Sequence, residues 1–175
     1  MAFVMALLLL GGFLARPGGG ASASADGSHS RQVDAPPAAV VAALRASMSA
    51  DGLQLVSRAD NGDHYRQLVP AYETARDPKY AELSRFGDMI VTARVHDGGA
   101  EVHTGFTSMD TAADFTITVA AREAGQGSVV TVAGEVEQGT GDDAERIAER
   151  LRATIDGQSR EILGRIVANV RRQGA

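Results

Sequence analysis

Side chains able to do chemistry are few in this chain, and they fall in three groups. His96 faces Glu101, and Arg94 faces His103, if the strands around Gly98-Gly99 pair as a hairpin. A zinc-type site needs two histidines and a carboxylate to converge. Opposed pairs on a solvated sheet face are the plainer product of the same register, and no metal is assigned. A second group, Ser57, His64 and Arg66, is brought together by a hairpin around Asn61-Gly62. Facing inward, these three could hold an anionic head group; facing outward, they are an exposed, charged hairpin. The third group gathers all three tyrosines, Tyr65, Tyr72 and Tyr80, with Phe86 in one stretch. Aromatic residues on such a loop either cover a hydrophobic pocket or anchor the loop to the core. Asp110, Thr111 and Asp114 are read as organising a bend between hairpins.

Much is excluded. There is no Gly-rich phosphate loop, no Gly-x-Ser-x-Gly and no His-Glu-x-x-His. The carboxylates lack the spacing of a glycosidase or protease pair. With no cysteine, disulfides, thiol chemistry and a lipid-modified cysteine are ruled out. A net charge of −5 without clustered basic residues argues against a nucleic-acid surface. The arginines near the carboxyl terminus alternate with Glu145, Glu149, Asp156 and Glu161, which makes a mixed, solvated face.

The elements that must position these residues end in a long amphipathic helix, Asp142 to Gln173. Asp142 with Glu145 reads as a capping box, and Arg171 and Arg172 suit the last turn. Ile147, Leu151, Ile155, Ile162, Ile166 and Val170 recur at helical spacing. Burying each contributes roughly 1.5–3 kcal/mol, so the stripe requires a broad apolar partner. The strands supply it. Ala113 to Glu123 pairs with Ser128 to Glu137 around Gly125-Gln126, setting Phe115 against Val136 and Ile117 against Gly134. Asp88 to Asp97 pairs with Ala100 to Ser108, setting Val95 against Val102 and Val91 against Phe106. In the earlier hairpin, Leu53 to Arg58 with Asp63 to Val69, Leu55 faces Leu68, and the leucine face is taken as the inner one. A first helix starts at the prolines and buries Val40, Val41, Leu44 and Met48. Pro70 to Phe86 is irregular, with a short helix at Pro78 to Arg85, and reads as a lid or edge crossing. The closing helix, roughly 46 Å long, exceeds a ten-residue strand. It therefore overhangs, bends near Gly157, or uses Gly157 and Gly164 to leave room for something beneath it.

The 175 residues fit one domain after a leader. Ala2 to Ala15 is apolar, short for a bilayer span and suited to a signal-peptide core. Ala23-Ser24-Ala25 offers a small-x-small cleavage site, so residues 1–25 are expected to be a signal peptide, with an uncleaved anchor as the alternative. The lack of a basic residue before the run points to a start further upstream. The domain, 26–175, is then secreted or held in the periplasm or cell envelope.

The order strand, helix, six-strand meander and long closing helix resembles the START-like helix-grip superfamily (SRPBCC). That group takes in polyketide cyclases, lipid-transfer domains and plant hydrophobic-ligand binders. The resemblance rests on Val33-Asp34-Ala35-Pro36 leading into Val40-Val41, and on Ile147 to Val170; it covers residues 29 to 173. Two departures are evident. Ala50-Asp51-Gly52 leads straight into a strand where the family places a second short helix, and the tryptophan frequent there is absent. The resemblance implies an α+β fold in which a curved antiparallel sheet of about seven strands wraps the closing helix around a cavity. The expected function is that of an exported, non-enzymatic binder of a small hydrophobic molecule, without cofactor. Its partners exclude nucleic acid and include membrane only transiently or through an uncleaved leader. The ligand would lie against Val91, Phe106, Phe115 and Ile117 of the sheet and Ile155 and Ile162 of the helix. Ser57, His64, Arg66, Tyr72, Tyr80 and Phe86 would line the remainder. Two alternatives stand beside it: a cyclase- or dehydratase-like enzyme using His64 or a lid tyrosine as proton donor, and a structural domain with a filled core.

Overall fold

The computed structural model describes residues 22–23, 28–108 and 113–173. The leader expectation, apart from Ser22 and Ala23, and the expected roles of Asp110 and Thr111 lie outside the described residues. Within them, β1 (Ser22–Ala23), β2 (His29–Val33), α1 (Pro37–Ala50), β3 (Gln54–Ala59) and β4 (Gly62–Val69) come first. A one-turn α2 (Ala71–Thr74) and a 3-10 turn (Ala81–Phe86) follow. The chain continues through β5 (Met89–His96), β6 (Gly99–Phe106), β7 (Ala113–Ala124) and β8 (Gly127–Gln138) to α3 (Ala144–Gln173). The strands make one antiparallel sheet in the order β1-β2-β8-β7-β6-β5-β4-β3. The meander β3 to β8 is the seven-strand grip less its first member, β2, which returns to lie beside β8; β1 adds a two-residue edge pair.

Alternation decides which side of the sheet is core. Met89, Val91, Ala93 and Val95 on β5 are buried, as are Ala113, Phe115, Ile117, Val119 and Ala121 on β7. β7 and β8 pair in the expected register, Phe115 with Val136 and Ile117 with Gly134. β5 and β6 do not. Val95 pairs with Ala100 and His96 with Gly99, so the turn is Asp97-Gly98 rather than Gly98-Gly99. Gly99 is drawn into the strand because its backbone lies against the Val119 carbonyl of β7, where a Cβ would sit 1.8 Å from the oxygen. The slip is even, so each residue keeps its expected face.

The first hairpin departs further. Its turn is Asp60-Asn61, a bulge falls between Leu55 and Ser57, and Leu55 pairs with Tyr65. Leu68 lies on the outer face, 52% exposed, while Tyr65 and Val69 are buried; Leu55, opposite Tyr65 on the edge strand, is 42% exposed. The cause is the next strand. β4 pairs Tyr65 with Ala93, Gln67 with Val91 and Val69 with Met89, and directly opposed residues share a face. The strict alternation of β5 therefore overrides the ambiguous pattern of β4.

α1 starts with Pro37 in its first turn and buries Val40, Val41, Leu44 and Met48 on the sheet. It ends at Ala50, and Asp51-Gly52 leads directly into β3, without a second helix. α3 packs on β8, β2, β7 and α1 with its expected aliphatic stripe buried. It begins at Ala144, so Asp143, not Asp142, flanks it; the turn leading in is closed by Ala144 N–H to Gly141 O at 3.1 Å, and the first helical turn by Ile147 N–H to Asp143 O at 3.0 Å. Asp143 instead meets Arg85 at 3.0 Å, and that hydrogen bond holds its carboxyl below the usual range. The overhang expected of so long a helix is met by the 3-10 segment. Arg146 and Arg150 both reach Glu82, at 3.1 and 2.8 Å. Gly157 is exposed and open space surrounds the positions a Cβ would take at Gly157 and Gly164, so neither glycine makes the close approach to the sheet. That glycine is Gly134, on β8, directly beneath Ile155.

Candidate functional site

The last turns of α1 and the carboxyl-terminal half of α3 meet over the middle of β6 and β7. Leu44, Ser47 and Met48 come from α1, and Val102, Ile117 and Val119 from the sheet. α3 adds Ile162 and Ile166, and next to them Arg165 and Asn169, two i,i+4 pairs side by side on one helix. These residues enclose an apolar pocket. About 20 Å³ of it is open to the centre of a water molecule, room for roughly one water, within about 420 Å³ of empty volume that includes the mouth.

One end of the pocket is polar. Asn169 donates from Nδ2 to Ser47 Oγ at 3.3 Å, and its Oδ1 accepts from Arg172. Arg165 Nη2 lies 3.7 Å from Oδ1 of Asp51, the residue that follows α1. Asp51 is only 1% exposed, and its Oδ2 has no hydrogen-bond partner. Burial pushes the Asp51 carboxyl up to about 6, against the opposing pull of Arg165. Its place at the carboxyl end of α1, the negative end of the helix dipole, adds to the disfavour of its charge.

A second buried polar group lies along α3. Tyr80 is 0% exposed and stacked on Phe115 with ring centroids 6.1 Å apart, and its hydroxyl accepts a hydrogen bond from Gln158 Nε2. Burial holds the Tyr80 phenol above its ordinary value. Ser159 Oγ and Thr74 Oγ1 are buried without hydrogen-bond partners. Tyr80 thus pins the irregular segment to helix and sheet. Tyr80→Phe keeps the stacked ring and removes the hydroxyl, so it is expected to lower stability by about 1–2 kcal/mol in urea unfolding, with the fold retained by circular dichroism.

Of the residues singled out in the sequence, Ile117 and Ile162 line the pocket. Val91, Phe115, Tyr80 and Ile155 are buried in the surrounding core. Phe86 and Phe106 are half-buried at the segment's end, edge to face at 6.2 Å. Tyr72 is 60% exposed, its hydroxyl 3.3 Å from Glu73. Ser57, His64 and Arg66 are on the outer face, away from the pocket, and His64 Nε2 is 3.1 Å from Asn61 Oδ1. The expectation that they share the inner face fails with the leucine face.

Wider depressions of about 530 and 280 Å³ lie at the hairpin turns beside Arg45 and on that outer face, and two of the arginines lining them are already paired. Arg45 meets Asp63 at 2.9 Å and Arg94 meets Glu101 at 2.7 Å. His103 pairs with Thr116 at 3.2 Å rather than with Arg94. Among the described residues no three histidine, aspartate or glutamate side chains gather closely enough for a metal ion, and no helix is long and apolar enough to cross a membrane. The α1–α3 pocket, concave and apolar with polar groups converging at one end, is the better candidate. The pocket's polar residues went unrecognised in the sequence because Arg165 falls among the arginines that read as a mixed, solvated helix face, and nothing in the pattern singles out Asn169. The nearest signal was the parallel between the stripe Leu44/Met48 and that of Ile162/Ile166, two apolar faces that had to meet.

No protein-family model matches the sequence, and the curated proteins hold no match. Solved structures do resemble it. The protein TTHA0849 from Thermus thermophilus superposes with a TM-score of 0.55 at 11% identity, covering 85% of this chain and 98% of that one. The Zhui aromatase/cyclase from Streptomyces sp. R1128 gives 0.55 at 13% identity, covering 85% and 94%. The chain has the helix-grip fold of these proteins, a curved antiparallel sheet closed around its carboxyl-terminal helix.

Proposed function

We propose that the protein is an exported binder of a small hydrophobic molecule, held between the sheet and α3 in the pocket beside α1. The carrying observation is that pocket: aliphatic walls from three elements, with an arginine, a serine and an asparagine converging at one end. As it stands the pocket has room for little more than a water, so occupation requires it to widen. Met48, unbranched and adaptable, is the wall residue best able to give way. That an aromatase/cyclase shares the fold is consistent with a small-molecule binder. A catalytic reading has less behind it here: His64 faces outward and the Tyr80 hydroxyl is engaged by Gln158. Export rests on the apolar run Ala2 to Ala15 and the following Ala-Ser-Ala. Cleavage after Ala25 removes β1 and leaves β2 as the sheet edge.

Native mass spectrometry of protein recovered from its host tests both parts. The expected spectrum shows a chain beginning at Asp26, carrying a non-covalent apolar adduct that collisional activation releases. A bare polypeptide, still bare after incubation with decan-1-ol, overturns the binding reading, and a mass that includes residues 1–25 overturns the cleavage.

A further inference from the structure

The polar end of the pocket is rich in donors. Arg165 presents a guanidinium, Ser47 a hydroxyl whose oxygen already accepts from Asn169, and the Asn169 carbonyl is taken by Arg172. A head group arriving there meets positive charge and O–H or N–H groups, which suits an acceptor, and an anionic one best. The Asp51 carboxylate beside Arg165 is a poor occupant of that position. Asp51 lies 3.7 Å from the guanidinium, beyond hydrogen-bond length, with its second oxygen buried and unpartnered. Arg165, from α3, is the charged group acting on it; beside the neighbouring Gly52, β4 contributes the neutral Gln67, whose Oε1 is also buried without a partner.

We propose that the pocket selects an amphiphile with a carboxylate head, which displaces Asp51 from the Arg165 guanidinium while Asp51 takes up one proton from solvent. The inference rests on the binding function proposed above and names the class of its ligand. Two carboxylates beside one guanidinium in a buried setting cannot both stay ionised, and the one already nearer neutrality accepts the proton. The proton comes from bulk water or buffer, no covalent bond to carbon changes, and the charge at the site is conserved: one anion enters and one is neutralised. With burial having raised the Asp51 carboxyl to about 6, uptake approaches one proton per ligand above neutral pH.

Titration calorimetry with decanoate and with decan-1-ol, in buffers of different ionisation enthalpy between pH 6.5 and 8.5, separates the possibilities. Decanoate is expected to bind roughly tenfold or more tighter than decan-1-ol at pH 7, its affinity falling toward tenfold per pH unit as pH rises. Asp51→Asn should bind decanoate without proton uptake or pH slope, and Arg165→Gln should lose the preference for decanoate while keeping decan-1-ol. Equal affinities for the two compounds in the native protein, or proton uptake that persists in Asp51→Asn, overturn the carboxylate inference and leave the pocket's apolar binding standing. Binding of neither compound overturns both. Because the native protein alone compares the two probes, a variant that fails to fold does not shelter the inference.

Discussion

Gly134→Ala is expected to destabilise the protein by about 1–3 kcal/mol, and Gly134→Val by more, to the point of losing the cooperative transition. A Cβ at position 134 would lie 2.0 Å from Cγ2 of Ile155 and 3.2 Å from Oγ of Ser159. The methyl it meets belongs to a β-branched side chain on a helix, where one χ1 rotamer dominates, so Ile155 cannot swing aside as a methionine could. Either α3 lifts from β8 or the strand recedes from it, and each movement opens gaps elsewhere along the helix–sheet interface. At roughly 2–4 °C per kcal/mol for a chain of this size, the alanine variant should melt about 2–12 °C lower. Gly157→Ala is the matched control: the site is exposed and helical with open space where the Cβ would go, so the same chemical change should stabilise by about 1 kcal/mol. Pairing Gly134→Ala with Ile155→Ala in a double-mutant cycle tests the stated cause. The two changes should couple favourably by about 1 kcal/mol or more, because the second removes the methyl that the first strikes; simple additivity would refute the explanation.

How far the sequence led depended on how many neighbours constrained each strand's pattern. β7 and β8 were readable to the residue because both carry strict alternation on either side of an unambiguous turn, with Phe115 opposite Val136 as expected. β5 and β6 gave the right faces and the wrong partners, since Asp97-Gly98-Gly99 holds two equally good turn centres. Only a third strand, with Val119 O pressed against Gly99, decides between them. On β4, leucine and tyrosine alternate with equal apolar weight, and pairing with β5 settles the face. That information is non-local, and no window within the hairpin contains it. The same limit governs the site. Ile117 and Ile162 were visible as periodic aliphatics, whereas Asp51 and Arg165 become a pair only when the end of α1 meets the middle of α3. Tyr72 and Tyr80 look alike in the sequence, yet one is exposed and the other carries the segment's anchorage.

Asp51 gives the second large effect, in stability against pH. Its carboxyl is raised from 3.8 to about 6 in the folded protein, with burial the main cause. Below about pH 4 it is protonated whether the chain is folded or not, and contributes no difference. Between about 4 and 6 the unfolded chain ionises while the folded one keeps its proton, so stability falls as pH rises, by about 1.4 kcal/mol per unit. Above about 6 both are ionised and the loss is constant, on the order of 3 kcal/mol. This runs opposite to an ordinary salt-bridged carboxylate, which strengthens the fold as it ionises. Asp51→Asn cannot ionise and keeps the shape. Urea unfolding across pH 4–8 should show the variant matching the native protein near pH 4 and exceeding it by about 3 kcal/mol at pH 8, the gap opening between those limits. Taking the difference between the two curves cancels every other titrating group. A native protein as stable as the variant at pH 8, or more so, would mean that Arg165 fully offsets the burial of the charge. Should the gap appear, the empty protein carries at neutral pH an ionised group its own fold disfavours, and any ligand that lets Asp51 take a proton is bound with that strain relieved.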